Sequence, residues 1–174
     1  MAWRIRPSNF QMDHWLKRIA KCDRDALENL YQSTRTSVYA YALSIMRNAP
    51  DAQDVLQDTY VAIWNKASYY TGQDKPMAWI ITITRNLCFN KLNYEKRYIS
   101  ADEVFRPSNP DLDAETNLLL RFCMQTLTDE ERQIVILHAV SGFSFREIGS
   151  MLQLKVPTVA SKYRRALQKL KDNF

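Results

Sequence analysis

Three groups of side chains in this 174-residue chain have the types and spacing to recognise another molecule. Asp51, Asp54 and Asp58 recur at intervals of three and four, with Gln57 among them, so on a helix they share one face. Like charges at these spacings repel slightly, and only the one nearest a helix N-terminus gains from the dipole. Such a face either keeps the helix solvated or meets a basic protein partner. The second group is Tyr69 and Tyr70 in a polar stretch, followed by Trp79 and then Arg85, Asn86, Asn90, Lys91, Asn93, Lys96 and Arg97. Rings beside cations and amides make a platform on which unstacked bases rest while the cations meet phosphate. Trp79 lies inside an apolar run and reads as core, which leaves the two tyrosines as the better candidates. The third group is Ser161, Lys162, Arg164, Arg165, Gln168 and Lys169 near the end of the chain. Arginine and lysine there supply phosphate affinity, and serine, arginine and glutamine can read base edges in a major groove.

Other chemistries are absent from the pattern. His14 and His138 are the two histidines and lie far apart, and no nucleophile, base and orienting group fall together, so the chain is not expected to be an enzyme. Cys22, Cys88 and Cys123 are odd in number and widely spaced. They read as reduced core thiols, with neither a disulfide framework nor a metal site, and no cofactor is expected. Three glycines in the whole chain exclude a Rossmann or P-loop phosphate cradle.

The elements that must position these groups are helices. Leu27, Leu30, Tyr31, Thr34, Val38, Tyr41, Ala42 and Ile45 mark one long apolar stripe, preceded by a shorter helix around residues 11–21. After the break at Asn48–Pro50, Ala52, Val55, Leu56, Thr59, Tyr60, Ile63 and Trp64 give the cleanest helix of the chain. Ser68 to Lys75 has loop chemistry, and Pro76 suits the first turn of a helix to about Arg97. Downstream, a helix through Leu118 to Leu127 leads to two capping boxes, Thr128 to Glu131 and Ser144 to Glu147. The short helix after Ser144, a break at 153–156 and a basic final helix from Pro157 predict a helix-turn-helix.

Charge follows the same division. The net charge of +5 favours an anionic partner only weakly, but residues 155–171 carry basic side chains and no acidic ones, whereas 101–115 is acidic. Residues 100–113 combine two prolines with acids and lack periodicity, as a linker does. The expected fold is therefore all-α: two small helical domains, 1–99 and 115–174, joined by a flexible acidic linker over 100–114, the second containing the helix-turn-helix. No segment reaches the ~20 apolar residues that a bilayer span requires, and the first residues lack the apolar core of a secretory signal, so the expectation is a cytoplasmic protein without membrane insertion.

These strings resemble a known family. Asp51-Ala-Gln-Asp-Val-Leu-Gln-Asp-Thr-Tyr-Val-Ala-Ile-Trp64 is similar to the polymerase-binding helix of extracytoplasmic-function sigma factors, and Pro76-Met-Ala-Trp-Ile-Ile-Thr-Ile-Thr-Arg-Asn-Leu87 to their promoter-melting helix. Leu127 to Gln133, Ser144 to Gly149 and Pro157 to Leu167 resemble the family's second domain, although Pro157 stands where glycine is common and Ala160 where lysine or arginine is common. The resemblance implies an alternative sigma factor that carries core RNA polymerase to promoters. It assigns Asp54, Gln57 and Asp58 to the clamp coiled coil of the largest polymerase subunit. Ser68 to Lys75, with Tyr69 and Tyr70, becomes the loop that captures a base flipped out of the minus-ten element, and Arg85, Asn86, Asn90 and Lys91 hold the separated strand. Ala160, Ser161 and Arg165 then face bases of the minus-thirty-five element, with Lys162 and Arg164 on phosphate. The family usually has an anti-sigma partner. Two other readings predict different behaviour: a sigma-like decoy that occupies an anti-sigma factor, and a helix-turn-helix repressor that binds its operator without polymerase.

Overall fold

The computed structural model describes residues 7–72, 75–98 and 114–172. Five of the helices begin where the sequence offers a cap. Ser8 accepts from the Gln11 amide to start α1, Asn9–Ile19, and Asp23 accepts from the Ala26 amide to start α2, Arg24–Met46. Asn48 caps α3, Ala49–Lys66, with Pro50 in its first turn. A single 3-10 turn, Ala67–Tyr69, ends α3, and Pro76 opens α4, Pro76–Tyr98. The second half holds α5, Ala114–Thr126, α6, Asp129–Val135, α7, Phe145–Leu152, and α8, Val156–Asp172. Both predicted capping boxes form, at Thr128 with Glu131 and at Ser144 with Glu147. Among the described residues there is no strand, and no helix is long and apolar enough to cross a membrane.

In the first half α2, α3 and α4 pack on one another and α1 lies across α2 and α4. Leu30, Val38, Leu56, Ile63, Ile80 and Ile81 are buried in this core. Two buried threonine contacts tie its helices laterally: Thr34 Oγ1 with Tyr60 Oη at 2.7 Å, and Thr59 Oγ1 with Thr84 Oγ1 at 3.4 Å. Each threonine also donates to the carbonyl four residues back, so none of these three hydroxyls is buried without a partner. In the second half α8 packs on α5, α6 and α7.

Two features depart from the sequence expectations. Cys88 and Cys123 are core thiols, but Cys22 is exposed in the turn between α1 and α2, at a left-handed φ of 62°. Turn geometry there overrides the preference of cysteine for the interior. The second departure is that the two halves are packed together: α2 rests on α6 and on the π turn Ile136–Val140 that extends it. Ser37 Oγ donates to the Val140 carbonyl at 3.4 Å, Tyr41 Oη to Gln133 Oε1 at 3.5 Å, and Arg47 Nε to Asp129 Oδ1 at 3.1 Å. Ile134, Ile136 and Leu137 thus share one apolar core with Val38 and Tyr41. The expected linker over 100–114 lies almost wholly outside the described residues.

Candidate functional site

Helix α3 buries Val55, Leu56, Thr59 and Ile63, and this turns Asp54, Gln57 and Asp58 outward. They line a groove whose other wall is Leu87, Asn90, Lys91 and Tyr94 of α4. Lys91 sits at its edge, with Nζ 2.6 Å from Asp51 Oδ1 and 2.8 Å from Asp54 Oδ2. Partial burial opposes the ammonium charge, but the two carboxylates outweigh it and hold the Lys91 pKa above the ordinary lysine value. Asp58 forms no ion pair among the described residues, so it is the carboxylate of this face left open to a cation from elsewhere.

The loop between α3 and α4 separates its two tyrosines. Tyr69 is 79% exposed, with its ring free for contact. Tyr70 is half-buried: its ring centroid lies 5.1 Å from that of Trp79, tilted by 52°, and its hydroxyl donates to the buried Asp13 carboxylate of α1. On α4 the candidate strand-holding residues sit differently with respect to the groove. Asn90 and Lys91 line it, whereas Asn86, one turn before Asn90, is exposed beside it in a row with Thr82, Phe89 and Asn93. Arg85 is half-buried on the side of α4 away from the groove, its guanidinium 4.8 Å from the Phe89 centroid. Phe89 extends the exposed face beyond the residues picked from the sequence. Its signal is present in the spacing 82, 86, 89, 93, which follows one helix side.

In the second half the turn after α7 is fixed by backbone. Gln153 takes a left-handed φ of 57°, and the Leu154 amide donates to the Gly149 carbonyl at 2.8 Å. A Cβ on Gly149 would stand 2.7 Å from the Leu154 carbonyl oxygen, so this close approach requires glycine. An aromatic cluster of His138, Phe145 and Tyr163 then seats α8, with His138 Nδ1 bonded to the Phe143 carbonyl oxygen at 2.8 Å. Val159, Ala166 and Leu170 face inward, leaving Ser161, Arg164 and Arg165 exposed and Ala160 half-buried. Lys162 is held by Glu130 at 2.8 Å, and Lys169 by Glu131 at the same distance. The exposed cations of this helix are therefore Arg164, Arg165 and Lys171.

A helix-turn-helix with a basic outward face, joined to a helical unit that offers a carboxylate groove and an exposed tyrosine loop, defines a DNA-binding regulator of transcription. The sigma-70 region 2 family model matches residues 30–98 and the sigma-70 region 4 model matches residues 117–170, together more than half of the chain. The chain is 26% identical over 168 residues to the extracytoplasmic-function RNA polymerase sigma factor SigK of Mycobacterium ulcerans, covering 90% of each. It is 23% identical over 172 residues to SigK of Mycobacterium tuberculosis, covering 92% of each. In fold it is similar to CnrH, solved in complex with the cytosolic domain of CnrY, at a TM-score of 0.65, with 22% identity and coverage of 93% of this chain and 96% of that one. The sigma factor RpoE of Bartonella quintana, solved with the anti-sigma factor NepR, gives a TM-score of 0.62 with 22% identity, covering 83% of this chain and 94% of that one. The chain belongs to the extracytoplasmic-function group of the sigma-70 family. It is an alternative sigma factor, which recognises promoters and initiates transcription.

Proposed function

We propose that the chain works as a non-catalytic adaptor in the cytoplasm, with three surfaces assigned to three contacts. Domain 1–99 binds core RNA polymerase and opens the minus-ten element, and domain 115–174 reads the minus-thirty-five element. The observation that carries this reading is the segregation of charge: an acidic groove between α3 and α4, and a basic face on α8 with no carboxylate of its own from Lys155 to Lys171.

In this reading the open carboxylate of Asp58, with Gln57 and Asp54, accepts from basic side chains of the clamp coiled coil of the largest polymerase subunit. Lys91, paired to Asp51 and Asp54, tunes the charge of that groove. Tyr69 and the exposed residues of 68–75 receive the flipped base, while Asn86 and Arg85 follow the separated strand. Arg165 and Ser161 meet base edges, the methyl of Ala160 can meet a thymine methyl, and Arg164 meets phosphate. Opening needs no covalent chemistry. Unstacking one base costs a few kcal/mol, which stacking on a ring and contacts within a pocket offset, so the factor shifts an equilibrium that polymerase then uses. Joining two short readings raises the effective concentration of each at its own element, and selectivity becomes their product. The solved neighbours are both complexes with a second protein, CnrY for one and NepR for the other, which supports an anti-sigma partner for this chain as well.

The test is a pull-down with core polymerase followed by run-off transcription. Asp58→Ala weakens core binding about tenfold, roughly 1.4 kcal/mol, and more than Asp54→Ala does, because Asp54 already has Lys91 as a partner. Equal and unchanged affinities would remove the groove assignment. Arg165→Ala costs about 1–3 kcal/mol at the upstream element and relaxes its base preference; an unaltered footprint there would remove that one.

A further inference from the structure

The described part of the loop assigned to the flipped base runs from Ser68 to Gly72, and it can offer a fixed pocket only if it is held in one geometry, because ordering each residue costs about 1–2 kcal/mol. Something outside the loop has to fix it. Tyr70 provides the attachment: its ring leans on Trp79 of α4 and its hydroxyl reaches the carboxylate of Asp13.

Asp13 is an unusual residue for its place. It is 6% exposed, on the face of α1 that also carries the buried Met12 and Leu16, where a carboxylate is costly unless bonded. Among the described residues its hydrogen-bond partner is Tyr70, 57 positions along the chain. A phenol donating to a carboxylate is a charge-assisted bond, stronger than one between neutral groups. The core around α1 would be served as well or better by an apolar residue, so packing does not account for the acid. Asp13 also lies outside residues 30–98, the stretch matched by the region 2 model.

We infer that Asp13 is a positioning residue for promoter opening: α1, through the Asp13–Tyr70 bond, sets the loop so that Tyr69 and its neighbours present one geometry to the flipped base. Tyr70 is then the loop's anchor, and Tyr69 its reading face. This rests on the function proposed above.

The experiment uses the full chain assembled with core polymerase on a promoter carrying 2-aminopurine in the minus-ten element, whose fluorescence rises on unstacking. Tyr70→Phe removes the hydroxyl alone and Asp13→Ala removes its acceptor. Each is expected to slow or reduce opening by about five- to tenfold, the size expected for losing one charge-assisted bond. Asp13→Asn keeps an acceptor and restores most of the signal. The double variant Asp13→Ala with Tyr70→Phe is no worse than the worse single one, because both remove the same bond. Core affinity and the upstream footprint stay at wild-type values, which a general loss of packing would not allow. The inference is overturned if the variants open the promoter as the wild type does, if the two losses add, if Asn fails to rescue, or if core binding falls in parallel. Failure of the wild-type chain to open any promoter with core polymerase would instead overturn the proposed function, and this inference with it.

Discussion

At the scale of single residues, carboxylates decide how this molecule responds to acid. Glu131 is nearly buried. Burial pushes its pKa up, but the Lys169 ammonium at 2.8 Å and the amide and hydroxyl of Thr128 together hold it below the ordinary glutamate value. Glu147 is lowered mainly by the Ser144 hydroxyl and amide. A carboxyl whose pKa is depressed by folding contributes stability above its unfolded pKa and loses it as pH falls through the folded one. Both capping boxes should therefore weaken as pH drops below about 4.5, while between about pH 5 and 8 they contribute fully. Glu131→Ala is expected to lower stability by about 1–2 kcal/mol at neutral pH, with the difference from wild type shrinking towards pH 3. Thermal melts of both proteins across that range check it; a pH-independent difference would show that the charge is not what Glu131 contributes. The same scale shows what spacing could not give. Asp54 and Asp58 are alike in sequence, but Lys91 arrives from α4 to hold one and leave the other open.

At the scale of elements, the helix-turn-helix was legible because its punctuation is local. Ser144 with Glu147 starts α7, and the apolar positions 159, 166 and 170 point α8 so that its basic side must face outward. Its turn depends on one backbone approach that no periodicity records, the Gly149 carbonyl against the Leu154 amide. Gly149→Ala should cost about 1–3 kcal/mol, since the added methyl meets a backbone oxygen that cannot move without distorting the turn. Minus-thirty-five binding should fall with it; unfolding curves and a footprint measure the two together. Helix α4 was less legible. Its length and start are readable from Pro76 and the apolar run, but only packing against α3 shows that Asn90 and Lys91 line the groove while Asn86, one turn before Asn90, does not.

At the scale of the whole molecule, the two halves are packed through α2, α6 and the π turn, with Arg47 bonded to Asp129 at the rim. A compact chain of this length has a radius of gyration near 16 Å, so it is about 40 Å across. Two promoter elements about 25 base pairs apart lie about 85 Å apart at about 3.4 Å per base pair. In the proposed reading a compact form of that size does not reach both elements at once, so the halves part before both are read. What holds them together is the apolar core shared by Val38, Tyr41, Ile134, Ile136 and Leu137, since the exposed rim pair contributes at most about 1 kcal/mol. Small-angle scattering of the free chain is expected to give a radius near 16 Å; a value above about 25 Å would show that the halves are already apart in solution.

The sequence by itself determined the helices, their caps, the all-α class and the basic face of α8, because periodicity and capping act within a few residues of the chain. It also placed the carboxylates of α3 and the tyrosines of the loop on the right elements. Tertiary structure alone decided which of them are free: Lys91 crosses 37 positions to Asp54, Asp13 crosses 57 to Tyr70, and α2 meets the second half across 82 positions or more. Those partners are chosen by how helices stack, and no local pattern along the chain encodes a contact between groups so far apart.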